Sequence, residues 1–278
     1  MHYTLLFDKY ISVKRLLEAH LVKAASISTY REKAPYIEDK KIHLYQGRDV
    51  KKKLYISSLA LRLANSQNSN AMKVAHELAV VLSGSCGGVF HVQIVPPGCI
   101  HLELTPTTLA AWLQGLAGGN LAGEETKDFR ECKLLFPIQY AHARCYSLIR
   151  LASQDNLIEL VDGDVGIGGL IAARPISWLN GDQQLYFYQP EEYHLINQLM
   201  QVVDHLVCSD GGSVDWEKIG GKLSQAWEDF WCSCRIWGEV KITSPELAQA
   251  RVGLLIATQW VLKCLLEKKL GVVALREL

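Results

Sequence analysis

One stretch combines residue types and spacing in a way that suggests chemistry: Phe136-Pro-Ile-Gln-Tyr-Ala-His-Ala-Arg-Cys-Tyr-Ser-Leu-Ile-Arg150. Read at 3.6 residues per turn, Ile138, Ala141, Cys145, Leu148, Ile149 and Ala152 form an apolar stripe, and Pro137 suits the first turn of a helix. The opposite side collects Gln139, Tyr140, Arg144, Tyr146, Ser147 and Arg150, with the small Ala143 between them. Tyrosines stack on splayed bases and arginines hold phosphates, so this face has the side chains needed to bind RNA. The competing reading is an ordinary solvated helix face. His142, at the edge of the stripe, reads as a packed and satisfied histidine, not a base.

Other groups also invite chemistry. Trp227, Trp231 and Trp237 recur at near-helical spacing, which reads as core packing, with Trp237 beside Arg235 kept as a candidate RNA contact. In the hairpin pattern 89–104, the Pro96-Pro97-Gly98 turn sets Gln93 opposite His101 and His91 opposite Glu103 on the outer face. Two histidines and a carboxylate could ligate a metal, but no fourth ligand has a defined spacing, so no metal is expected. Gly163-Asp-Val-Gly-Ile-Gly-Gly169 fits neither the dinucleotide fingerprint nor the P-loop and reads as a hairpin turn. The eight cysteines include no Cys-x-x-Cys pair and none has a context that lowers its pKa, so they are expected reduced, structural and uncatalytic. No cofactor is implied.

Lys+Arg and Asp+Glu balance at 29 each in 278 residues, which argues against non-specific DNA binding and leaves room for a local basic face. Lysines 40–41 and 51–53 could touch phosphate, although such runs usually form wet surface. The N-terminus lacks the pattern of a signal peptide, and the apolar run 252–266 is interrupted and too short to span a bilayer. A cytoplasmic protein without a membrane partner is expected.

The elements that must position these groups follow from pattern. Residues 9–25, 54–66 and 70–83 read as helices, the last with Asn70 as N-cap and Gly84 as terminator; residues 42–45 read as a short strand. Thr105-Pro106 opens a helix to about residue 117. The small, polar stretch 118–127 is the best domain boundary. Beyond the helix opening at 136, two or three short strands are expected in 155–190, and helices in 191–206, 215–238 and 245–270. Thr243-Ser-Pro-Glu246 spells a capping box for the last of these, with Gly271 past its end.

Tyr-Ala-His-Ala-Arg144 resembles the start of the DALR anticodon-binding domain of arginyl-tRNA synthetases. Ser57-Ser-Leu-Ala-Leu-Arg-Leu-Ala64 with 71–82 is similar to paired helices of that family's N-terminal tRNA-binding domain. Val92-Gln-Ile-Val-Pro-Pro-Gly-Cys-Ile-His-Leu-Glu-Leu104 resembles its hairpin, although Cys99 and His101 stand at the family's Phe and Asn positions, so contact with the tRNA elbow would be remade. Trp227-Glu-Asp-Phe-Trp-Cys-Ser-Cys-Arg-Ile-Trp237 and Ala250-Arg-Val-Gly-Leu-Leu255 resemble later DALR helices. A synthetase carries its catalytic domain between these pieces. Here the gap is 118–135, no His-Ile-Gly-His-like tetrad occurs, and Gly221-Lys-Leu-Ser-Gln225 is a chance echo of the second signature.

The resemblance therefore implies an α+β N-terminal domain (1–119, helices with a small antiparallel sheet), a linker (120–135), and a mainly α-helical DALR-type anticodon-binding domain (136–278) with a β-rich insertion at 155–190. It implies a non-catalytic tRNA-binding protein, with arginine tRNA as partner and a tRNA-modifying enzyme or other protein as a second partner. The expected RNA contacts are Gln139, Tyr140, Arg144, Tyr146, Arg150, Gln93, His101, Arg235 and Trp237. The alternative is a protein-interaction scaffold that reuses the fold without RNA.

Overall fold

The computed structural model describes residues 11–32, 42–47, 49–119, 121, 135–161, 170–208 and 214–278. Contacts group the chain into two compact units, Val13–Leu109 and a second one that takes Ala110–Leu278 together with Ile11 and Ser12.

The first unit is α+β. Helix α1 (Val13–Glu32) precedes strands β1 (Leu44–Gln46) and β2 (Leu54–Ser57), helices α2 (Leu59–Gln67) and α3 (Ala71–Ser85), and the hairpin β3 (Phe90–Val95) and β4 (Cys99–Leu104). The strands form one antiparallel sheet in the order β1-β2-β4-β3. Alternation decides which side faces inward: Tyr55, Phe90, Ile100, Leu102 and Leu104 are buried, and Leu16, Leu17, Leu21, Leu78 and Leu82 of the helices complete the core. Asn70 caps α3 by accepting from the Met72 and Lys73 amides at 2.9 and 3.2 Å. At the hairpin turn Gly98 has φ +138°, and a Cβ there would meet Ala71 at 3.0 Å, so both conformation and space call for glycine. Residues 54–57, expected as the start of a helix, are a strand because β4 offers them a full ladder from Leu54↔Glu103 to Ser57↔Ile100. The helix α3 runs one residue past Gly84.

The second unit is helical. Helix α4 (Pro106–Ala117) starts in the first unit, and its later half joins the second, with Trp112, Leu113, Leu116 and Ala117 fully buried. The compact units thus divide within α4. Trp112 donates its indole N–H to the Ile11 carbonyl at 2.8 Å. Helices α5 (Leu135–Gln154), α6 (Pro190–Val207), α7 (Trp216–Ser233), the short α8 (Glu239–Thr243) and α9 (Pro245–Cys264) follow, and α9 runs into a π-helical turn at Leu265–Lys269. Helix α9 packs on α5, and α7 lies against both α5 and α6. Almost every residue of α9 is buried. At Gly253 the Trp178 ring comes so close that a Cβ would stand 2.4 Å from it.

A buried ion pair locks α9 to the start of α6. Arg251 Nε donates to Glu192 Oε1 at 2.7 Å, and Glu192 Oε2 accepts from the Tyr188 and Gln189 amides. A buried charge pair is tolerable only when its remaining lone pairs are satisfied, which this carboxylate achieves through the helix cap.

Two expectations for this unit are corrected. Among the described residues of 155–190 no ladder forms, only the isolated bridges Leu160↔Ala172 and Leu179↔Leu185. Two backbone hydrogen bonds flank each bridge, and side chains add to them: Gln114 Oε1 accepts from the Ile176 amide and the Trp178 indole, and Asn180 Oδ1 accepts from the Asp182 and Gln184 amides. The capping box at 243–246 is not made either; Ser244 contributes no side-chain bond, and Pro245 at the first position removes an amide that would otherwise need a partner. No described helix is long and apolar enough to cross a membrane.

Candidate nucleic-acid interface

Helix α5 buries Ile138, Ala141, Cys145, Leu148, Ile149 and Ala152, as its stripe requires. Phe136, Tyr140 and Arg144, spaced four apart, climb its open side. Phe136 is 70% exposed and Tyr140 46%. Their rings stack with centroids 6.1 Å apart and planes within 20°. Tyr140 leans edge-to-face on the buried Trp227 of α7 at 6.2 Å. One turn further along each helix, the Arg144 guanidinium lies over the half-buried Trp231 at 5.8 Å from its centroid.

Trp231 in turn meets Trp237 edge-to-face at 6.1 Å. Trp237 is fixed by its indole N–H, which donates to Asp155 Oδ2 at 2.7 Å, and Lys241 Nζ lies 3.5 Å from the same oxygen. The rings touch in two groups, Phe136–Tyr140–Trp227 and Trp231–Trp237, and the Arg144 guanidinium lies over the second. Base–aromatic stacking on such a platform contributes about 1–3 kcal/mol per base and tolerates any base.

Gln139 is a correction. It is buried, and its amide clamps the C-terminal strap: Nε2 donates to the Val273 carbonyl at 2.7 Å, and Oε1 accepts from the Leu275 amide at 3.0 Å. The strap exists because Gly271, at φ +67°, turns the chain back after α9 along the flank of α5. His142 completes the clamp as a fully buried, satisfied histidine. Its Nδ1 lies 2.8 Å from the Leu275 carbonyl, which can only accept, so Nδ1 donates and Nε2 accepts from Gln259 Nε2 at 2.8 Å. Burial, first of all, lowers the His142 pKa, and the neutral ring fits these partners.

Tyr146 is half-buried on that same flank, with the Arg276 guanidinium of the strap 5.4 Å from its ring centroid. Arg150 is exposed beyond it. Arg235 is exposed, and its carbonyl accepts from Arg251 Nη1, but no described contact of its side chain joins it to either ring group. Tyr140, Arg144 and Trp237 are therefore gathered, and Tyr146 belongs to the strap side.

Gln93 and His101 belong to the first unit. They face each other across β3 and β4 in the expected register, as do His91 and Glu103. The row continues through Ile56 to the exposed Tyr45. Among the described residues no group of three His, Cys, Asp or Glu side chains could hold a metal. Lys51 and Lys52 are exposed, but Lys53 is buried, its Nζ donating to the Val50 carbonyl at 2.6 Å and its pKa pushed down to about 7, chiefly by burial. Lysines 40–41 and the stretch 163–169 lie outside the described residues. Burial pushes the Cys145 thiol up, and Cys234 up to about 12, as structural thiols require.

Sequence reasoning placed Trp231 in the core and left Phe136, Asp155 and Lys241 out of the site. The i, i+4 series Phe136-Tyr140-Arg144 was the signal for Phe136; nothing local marked the Asp155–Trp237 bond.

The chain is 29% identical over 139 residues to an arginine–tRNA ligase from Synechococcus sp. (strain JA-3-3Ab). The match covers 49% of this chain and 21% of the ligase, so the chain spans about a fifth of that relative's length. Over that half, the chain is similar to part of an arginine–tRNA ligase. No family model and no solved structure matches it.

Proposed function

We propose that this chain is a non-catalytic tRNA-binding protein, an accessory or regulatory factor that holds arginine-type tRNA by its anticodon arm and elbow. The observation that carries the reading is Arg144 braced over Trp231 beside the exposed Tyr140: a cation and stacking rings fixed on one face. Arg144 would take a phosphate while Tyr140 and Trp231 stack on splayed loop bases; Arg150 and Arg235 would add phosphate contacts. In the first unit Gln93 and His101 offer hydrogen bonds for the elbow. The likeness to an arginine–tRNA ligase supports tRNA as the RNA class.

The non-catalytic part of the reading rests on the interval between α4 and α5. A synthetase-like arrangement would hold its catalytic domain there, and this chain has only residues 118–134. Gly221-Lys-Leu-Ser-Gln225 lies inside helix α7, which supplies no mobile loop for ATP. A second reading, a protein-interaction scaffold, draws on the strap, which displays Val273, Leu275 and Leu278 at 73, 43 and 63% exposure.

Binding of total tRNA to the full chain across a salt series tests the proposal. RNA recognition requires affinity that falls steeply with salt and depends on Arg144 and Tyr140. Absence of binding at low salt would leave only the scaffold reading.

A further inference from the structure

We propose that the indole N–H of Trp227 is a hydrogen-bond donor held in reserve for a nucleobase of the bound loop, uncovered when Tyr140 swings out to stack. This rests on the RNA reading above and adds a specificity-determining residue to it. Trp227 is 1% exposed, and its Nε1 has no hydrogen-bond partner among the described residues. Buried polar groups are almost always bonded, and an indole nitrogen can only donate, so it cannot be relieved by accepting. Four other indoles behave as expected: Trp112, Trp178, Trp237 and Trp260 donate to Ile11, Gln114, Asp155 and Leu170. The exception is the ring on which the exposed Tyr140 leans.

Tyr140, 46% exposed, is seated by ring contacts with Trp227 and Phe136. Ring pairs of this kind tolerate a change of partner, since a base offers the same π-face. A Tyr140 that leaves Trp227 for a base opens a small, apolar site with one unsatisfied donor. Such a site favours a neutral acceptor, the carbonyl oxygen or ring nitrogen of a base, over a charged phosphate that would lose its hydration there. A base with an acceptor at that place gains a hydrogen bond that a base without one does not, and that difference is the discrimination.

The test uses the full chain and a synthetic anticodon stem-loop RNA with an arginine anticodon. Trp227→Phe keeps a packed ring and deletes the donor. It is expected to weaken stem-loop binding about tenfold, as loss of one hydrogen bond does, with an unchanged salt slope and a thermal midpoint no lower than that of the wild type. In wild-type protein labelled at the indole nitrogens, the Trp227 proton signal should move to a hydrogen-bonded position only when RNA is added; this measurement stands even if the variant fails to fold. Wild-type affinity in W227F, or an indole proton already bonded without RNA, overturns the inference. If R144A weakens binding and W227F does not, the RNA reading stands and this inference falls; if wild type binds no RNA, both fall.

Discussion

Arg144 sits over the face of Trp231, one helical turn beyond the place where Tyr140 meets Trp227. The pairing holds a long, flexible cation in place before any ligand arrives, so less conformational entropy is lost on binding. Arg144→Ala should lower tRNA affinity and reduce the slope of log affinity against log salt by about one. Trp231→Leu should weaken binding by about tenfold or more, from lost stacking, with little change in salt slope. Equal salt slopes for wild type and R144A would show that Arg144 touches no phosphate.

The clamp around His142 makes stability depend on pH. Its folded pKa lies below the ordinary 6.5, so above 6.5 the ring is neutral in both states and the stability is fully present. As pH falls below 6.5 the unfolded chain takes up the proton first, and stability drains away until the lowered folded value is passed. Urea unfolding from pH 7.5 to 5 should show this loss, and His142→Gln should flatten that part of the curve while lowering stability at pH 7.5.

Lys53 adds a second dependence in the first unit. Its folded pKa of about 7 lies far below the ordinary 10.5, so protonation favours the unfolded chain throughout that window. Stability of this unit should climb as pH rises from about 7 toward 10.5. Lys53→Met should remove the climb and unfold at higher urea than wild type at neutral pH, because the buried amine no longer has to shed its proton. A variant that keeps the climb would place its origin elsewhere.

Half of the buried pair cannot be removed cheaply. Arg251→Met leaves the Glu192 carboxylate uncompensated in the core and should cost about 3–5 kcal/mol in urea unfolding. The double variant Glu192→Leu, Arg251→Met should lose less than the two single losses added together. It should still fall short of wild type, because Glu192 also holds the Tyr188 and Gln189 amides.

What the chain declares in sequence depends on how local the determinants are. The hairpin was fully legible, with Gln93 opposite His101, because strict alternation and a Pro-Pro-Gly turn set its register. So was the stripe of α5. Gln139 was not: on the helical wheel it belongs with Tyr146 and Arg150, and only a strap arriving from the far end of the chain covers it. Trp231 was read as core because tryptophan at helical spacing usually is, and its half-exposure follows from how α7 meets α5. Leu54–Ser57 reads as helical until β4 supplies a partner, and the strand-like runs in 155–190 shrink to single bridges with two backbone hydrogen bonds each.

Gln139 and His142 grip the strap through its main chain. They hold the Val273 carbonyl, the Leu275 amide and the Leu275 carbonyl, and none of these atoms depends on which side chain position 275 carries. Identity at 273 and 275 is thereby released from the task of docking, and those positions can diverge while the segment stays in place. Proline at 275 is the exception, since it has no amide hydrogen to give Gln139. The strap behaves as a mount whose fittings can be exchanged, and the lock lies in the two helix residues beneath it.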